Sequence, residues 1–246
     1  MKNETEWFND WFDSPYYHIL YQNRDYSEAE FFLTNLIHFF NAPKSRKIID
    51  LCCGKGRHAI FLNSLGYDVT GVDLSQSSIE EANKSSNNNL HFEVQDLRDL
   101  KYSENFDIAL NLFTSLGYFN SREEDALVFK NIHKILKPGG FVLIDFMNSE
   151  LTVNNLLQKE VKLIDGIQFN ISKHLENDFI IKNIDFTDNG TDYHFTEKVQ
   201  ALTLENFEEM LNAAGFKTYK VFGNYALEDY KINTSDRLII VAQKNV

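Results

Sequence analysis

Two acids and two glycines at fixed spacings carry the chemistry that can be read first: Asp50, Gly54, Gly56 and Asp73. Glycine leaves the backbone free to take positive φ and lets a ligand approach closely, while unpaired N–H groups at a helix start favour electron-rich partners. Asp73 lies about 17 residues beyond Gly56, a reach that puts a carboxylate on the two hydroxyls of a ribose. This spacing predicts an adenosine-containing ligand. Gly54-Lys55-Gly56-Arg57-His58-Ala59 satisfies G-x-G-x-x-A, which suits a dinucleotide. Asp50 points elsewhere, because a carboxylate before the glycines repels a pyrophosphate and suits the ammonium of an amino-acid moiety.

A βαβ unit is needed to hold these residues. The apolar run 47–51 reads as a strand, 57–65 as a helix with Gly66 past its end, and 69–72 as a second strand closed by Asp73. Ser75 is an N-cap for a helix over 76–84, and a strand over 90–94 leads to Gln95-Asp96-Leu97. The run 105–113 is apolar throughout, as a strand covered on both faces should be, and brings Asn111 to its carboxyl end. Leu136-Lys137-Pro138-Gly139-Gly140 should stop a helix over 123–136 before a strand over 141–146.

Asp50-Leu51-Cys52-Cys53-Gly54-Lys55-Gly56 resembles the first motif of the class I S-adenosylmethionine-dependent methyltransferases, (D/E)-x-G-x-G-x-G, with Cys52 in place of the first glycine. Gly71-Val72-Asp73-Leu74-Ser75, the Leu-Lys-Pro-Gly-Gly block and the closing Thr203-x-Glu205-x-Phe207 to Ala214-Gly215-Phe216 segment are similar to later parts of that family, so that the likeness covers about 45–148 and 202–243. The resemblance implies an α/β Rossmann-like fold: a seven-stranded, mostly parallel sheet in the order 3-2-1-4-5-7-6 with helices on both faces. It also implies S-adenosyl-L-methionine as cofactor and S-adenosyl-L-homocysteine as product, with methyl transfer by in-line displacement from the sulfonium. By the same likeness, Asp50, Cys52, Gly54 and Gly56 form the cofactor loop and Asp73 accepts from the ribose hydroxyls. Leu74 lies on the adenine and Asp96 with Leu97 meets the adenine amino group, while Asn111, at the carboxyl end of its strand where open α/β sheets put their ligands, is the candidate for contact with the methionine end. Tyr17, in the Tyr16–Tyr21 segment, folds over the cofactor, and Arg24 meets a carboxylate. No catalytic group is assigned. A base is needed only for a protonated acceptor, with Tyr16, His18 and Tyr118 as candidates, and no metal is required. An NAD-dependent oxidoreductase stays open on G-x-G-x-x-A and Asp73, with Asp50, Asp96 and the Lys-Pro-Gly-Gly block against it. A protein that binds the adenosyl ligand without catalysis is a third reading.

At 246 residues the chain can bury a full core, and one domain with an insertion is expected. Residues 1–46 read as an aromatic-rich helical lid, 47–150 and 202–246 as the cofactor-binding core, and 151–201 as a small antiparallel β insertion over the active site. Asp188-Asn189-Gly190-Thr191 is a hairpin turn in that insertion, whose other use is a homodimer surface. A formal charge of −12 argues against a phosphate backbone as partner and leaves a small-molecule acceptor as the expectation. Cys52 and Cys53 are the only cysteines and are adjacent, which excludes a long-range disulfide and zinc spacing and suits a reducing cytoplasm. No basic leader followed by an apolar run is seen, so no membrane partner is expected.

Overall fold

A computed structural model describes residues 7–22 and 26–245; Arg24 lies outside the described residues. Three helices come first: α1 (Trp7–Phe12), α2 (Pro15–Leu20) and α3 (Tyr26–Phe40). Ser14 caps α2 by accepting from the Tyr16 N–H, and Pro15 occupies the first helical position, where its missing N–H costs nothing. Along α3, Ala29, Phe32, Leu33 and Leu36 recur at helical spacing and are buried.

The core then alternates as the patterning demands: β1 (Lys47–Leu51), α4 (Arg57–Ser64), β2 (Asp68–Asp73), α5 (Gln76–Ala82), β3 (Leu90–Val94), β4 (Phe106–Asn111), α6 (Arg122–Ile135), β5 (Leu136–Met147) and α7 (Ser149–Asn154). An antiparallel insertion follows, made of β6 (Lys159–Ile164), β7 (Ile167–Glu176), β8 (Phe179–Asp188) and β9 (Thr191–Gln200). The chain returns to the core through α8 (Leu204–Ala213), β10 (Phe216–Phe222) and β11 (Arg237–Lys244).

The seven-stranded sheet has the order β10-β11-β5-β4-β1-β2-β3, the expected order read from the opposite edge. Strands β1 to β5 pair in parallel and β11 runs antiparallel to both neighbours. Every residue of β4 is buried, because helices cover both faces. One apolar layer joins the sheet to α6 and α8 through Phe129, Ile132, Phe207 and Leu211; the opposite layer joins it to α3 and α4 through Phe32, Leu36, Ala59 and Leu62. Each such large side chain contributes about 1.5–3 kcal/mol by leaving water. A third cluster is separate: Trp11 and Leu20 pack on Phe169, Ile171, Ile184 and Phe186 of the insertion.

One local expectation is corrected. The Lys-Pro-Gly-Gly block lies within β5, since Leu136 is fully buried and pairs with Phe106 before regular pairing resumes at Phe141 opposite Ile108. The intervening residues bulge, and Gly139, at φ 74°, makes the reversal. Within the insertion, Asp165-Gly166, with φ of 49° and 80°, forms the left-handed pair of a tight hairpin turn between β6 and β7.

Candidate functional site

The carboxyl ends of β1, β2, β4 and β5 open on one rim, where the strand order reverses between β1 and β4. β1 delivers Asp50 and the turn 52–56, β2 delivers Asp73, and the loop after β4 delivers Phe113 to Tyr118. Gly54 takes φ +54° and Gly56 φ +81°. A Cβ on Gly56 would fall 2.6 Å from the Phe92 ring, whereas Gly54 has nothing within 4 Å, so its backbone faces open space. Cys52 holds φ 61°, a left-handed conformation more natural to the glycine it replaces.

A cavity of about 380 Å³ occupies this turn, lined by Cys52, Cys53, Gly54 and Asp73 from the core and by Phe12, Tyr17, His18 and Tyr21 from the N-terminal helices. Asp73 fixes its wall: one carboxylate oxygen accepts from the Gly54 N–H at 2.8 Å and the other from the Ser75 N–H at 2.9 Å. Asp13, between α1 and α2, accepts hydrogen bonds from the Ser75 and Ser77 hydroxyls and ties the N-terminal segment to the same turn. Asp50 is buried behind it, with Oδ2 lacking a hydrogen-bond partner among the described residues and His58 Nδ1 4.0 Å away. Burial first, and the charge of Asp73 second, push its carboxyl up to about 7.

Of the residues expected to hold a cofactor, Tyr17, Cys52, Gly54 and Asp73 line this cavity; Asp50, Gly56, Leu74, Asp96, Leu97 and Asn111 lie outside its lining. Leu74 is exposed at 39%, and Leu97 is buried in the core layer. Asp96 caps the turn Leu97–Asp99 and pairs with Arg98 at 2.6 Å. Burial works against its charge, but the hydrogen bonds and charge of Arg98 outweigh burial and hold it below the usual carboxylate range. Asn111 is fully buried; its amide donates to the Leu51 carbonyl at 3.3 Å, and Oδ1 has no partner among the described residues. Of the candidate bases, His18 and Tyr118 line the cavity, whereas the Tyr16 hydroxyl is turned to Asp188 in the insertion at 2.9 Å.

A second chamber of about 580 Å³ lies between this rim and the insertion. Its floor holds Phe113, Thr114, Met147, Asp236 and Arg237, α7 supplies Thr152 and a flank extending to Leu157, and the insertion supplies Lys173, Ile180, Lys182, Glu197 and Val199. Tyr21, Phe113 and Tyr118 line both spaces. Phe113 and Thr114 are successive residues at φ 58° and 61°, and Asp145 holds them there. Its buried carboxylate accepts from the Phe113 N–H at 2.9 Å, its carbonyl from the Thr114 N–H at 2.8 Å, and Arg237 joins the two by donating to Asp145 at 2.7 Å and to Thr114 at 3.1 Å. The Phe113 ring stacks on His58 at 5.1 Å and 15°.

Tyr21 is fixed from the insertion side. Its hydroxyl donates to Glu197 at 2.6 Å and accepts from Lys182; Trp11 Nε1 donates to the same Glu197 oxygen at 2.8 Å. Sequence reasoning missed Lys173, Lys182 and Glu197. A signal for them exists: each interrupts the apolar alternation of its strand, and Lys182 pairs across the sheet with both of the others.

Residues 48–140 match the family described as Methyltransferase domain. The chain is 29% identical over 213 residues, 82% of its length and 86% of the relative's, to YqeM of Bacillus subtilis (strain 168), a protein provisionally named as a methyltransferase. Among solved structures, an S-adenosylmethionine-dependent methyltransferase from Clostridium acetobutylicum ATCC 824 superposes with a TM-score of 0.80 at 20% identity, covering 94% of this chain and 96% of that one. CalS10, an amino pentose methyltransferase from Micromonospora echinaspora solved with S-adenosylmethionine bound, superposes with a TM-score of 0.71 at 16% identity, covering 94% and 98%.

Proposed function

We propose, for a chain that belongs to the class I S-adenosylmethionine-dependent methyltransferases, that the smaller cavity holds the cofactor and the larger chamber a small-molecule methyl acceptor. The observation that carries this reading is the shared wall: Tyr21, Phe113 and Tyr118 line both spaces, so a methyl group held in one faces a nucleophile held in the other. When bound, S-adenosylmethionine supplies a methyl carbon that an acceptor takes by in-line displacement from a sulfonium.

The residues present suit that group. Asp50, buried behind the cavity wall with an oxygen unpartnered among the described residues, would be completed by an ammonium, and the open backbone at Gly54 admits a ligand against the chain. Asp73 retains lone pairs for ribose hydroxyls beyond those it gives to Gly54 and Ser75. Tyr17 covers the cavity; Asp96, Leu97, Leu74 and Asn111 are assigned to the cofactor by family likeness alone. What these side chains do is hold and orient: Phe113 and Tyr118 exclude water along the shared wall, and alignment at near contact is worth several kcal/mol of barrier. The amino-pentose specificity of CalS10 supports a small acceptor here. The adjacent thiols of Cys52 and Cys53, both free, suit a reducing cytoplasm.

The test is incubation of the protein with methyl-labelled S-adenosylmethionine and a metabolite pool filtered to below about 1 kDa, a size matched to a chamber of a few hundred Å³. Label in a small product is expected. Label taken up only by added protein or nucleic acid would overturn the small-molecule reading.

A further inference from the structure

The chamber's charged groups are unequally satisfied. Glu197 already accepts from Trp11 and Tyr21 and pairs with Lys182 at 3.2 Å. Asp145, fully buried beneath the floor, already accepts from Phe113, Tyr225 and Arg237. The cations keep donors in hand. An ammonium has three N–H groups; Lys182 directs them to Tyr21 and Glu197, and Lys173 makes a single long contact to Glu160 at 3.4 Å. Asp236, the remaining lining carboxylate, lies just before β11 at the floor rather than in the insertion.

Lys173 and Lys182 are also direct cross-strand partners on the face of the insertion that roofs the chamber. Like charges directly opposite on neighbouring strands destabilise a sheet unless something lies between them. Further along the same face the cross-strand pairs are apolar, Ile171 with Ile184 and Ile184 with Phe195, so the charges begin where the apolar packing under α1 and α2 ends and the chamber starts. Burial, with the neighbouring charge of Lys173 adding to it and Glu197 opposing, lowers the pKa of Lys182, as expected of an ammonium withdrawn from water beside a like charge.

We propose that the methyl acceptor carries an oxyanion, a carboxylate or a phosphate, and that Lys173 and Lys182 bind it at the roof of the chamber. This rests on the chamber being the acceptor site. Two unused donors on adjacent strands match the several lone pairs of an oxyanion, and the bound charge removes the repulsion between the lysines.

The experiment uses the full chain carrying 13Cε-lysine and saturated with S-adenosylhomocysteine, titrated with inorganic phosphate and, in parallel, with acetate against chloride at constant ionic strength. The Lys173 and Lys182 signals, identified with Lys173→Gln and Lys182→Gln, are expected to shift saturably, and phosphate binding tighter than acetate would identify a phosphoryl group. Lys173→Gln, at a side chain that is partly exposed and pairs with Glu160 alone among the described residues, should still fold, weaken phosphate at least fivefold and leave S-adenosylhomocysteine affinity within twofold. Shifts no larger or more saturable than that of the exposed Lys130, or a Lys173→Gln protein with unchanged phosphate affinity, would overturn the proposal. Failure to saturate with S-adenosylhomocysteine would instead refute the cofactor assignment, so the two failures are distinct.

Discussion

On the proposed reading, Asp50 is the residue on which cofactor recognition turns. Burial and the charge of Asp73 push its carboxyl up to about 7 in the folded protein, against about 3.9 for a free aspartate. The folded, ligand-free chain therefore binds a proton that the unfolded chain has released between those values. Stability from this group is highest at low pH, falls as pH rises from about 4 to 7, and is flat above. An ammonium beside Asp50 binds the ionised form, so S-adenosylhomocysteine affinity should rise with pH up to about 7 and then level off. Asp50→Asn removes both dependences. At pH 8 it should stabilise the ligand-free protein by about 1–3 kcal/mol in a urea titration and weaken S-adenosylhomocysteine at least tenfold by calorimetry. Wild-type affinity in the variant would show that the ammonium is held elsewhere. That Asp50, Gly54 and Asp73 would meet at one turn was legible because loop chemistry restricts residue type at fixed spacing. Asp96 was ambiguous because an acid after a strand suits an adenine amino group and a turn cap equally, and here its oxygens cap a turn and pair with Arg98.

At the scale of elements, the loop after β4 is a strained turn held by a buried pair. Two successive non-glycine residues at positive φ cost about 1–3 kcal/mol each and persist only when their surroundings over-determine them. Here Asp145 and Arg237 do so. Arg237→Met leaves Asp145 buried without its counter-ion and should lower stability by about 2–4 kcal/mol by chemical denaturation. Because Phe113 stands on the wall common to both cavities, methyl transfer should fall by more than cofactor affinity does. Equal losses in the two would mean that the turn serves folding only. None of this could be read from sequence, since nothing in Phe-Thr-Ser announces a left-handed pair and Arg237 lies 92 positions from Asp145. The charged row of the insertion was open to reading. In β8, Ile180, Lys182, Ile184 and Phe186 share a face, and a lysine within an otherwise apolar alternation marks a place where that face leaves the core.

The whole molecule is a mostly parallel core flanked by two further segments, the N-terminal helices and the insertion, that pack on each other. Trp11 is 1% exposed and joins α1 to the insertion while donating to Glu197. Trp11→Ala should therefore cost about 3–5 kcal/mol and loosen both cavities together. A variant within 1 kcal/mol of wild type by urea denaturation would show the N-terminal helices to be dispensable. The core order was legible because alternating strands and helices with short connections admit few topologies. That α1 and α2 would pack on the insertion was not, because aromatic residues declare burial without naming a partner. No helix among the described residues is long and apolar enough to cross a membrane. The most direct test of the central claim is thermal denaturation of the intact chain with S-adenosylmethionine, S-adenosylhomocysteine or NAD. A ligand at a hundred times its dissociation constant adds about 2.7 kcal/mol, roughly 5–10 °C for a chain of this length. The account predicts that rise with both sulfur ligands and none with NAD; a rise with NAD alone would contradict it.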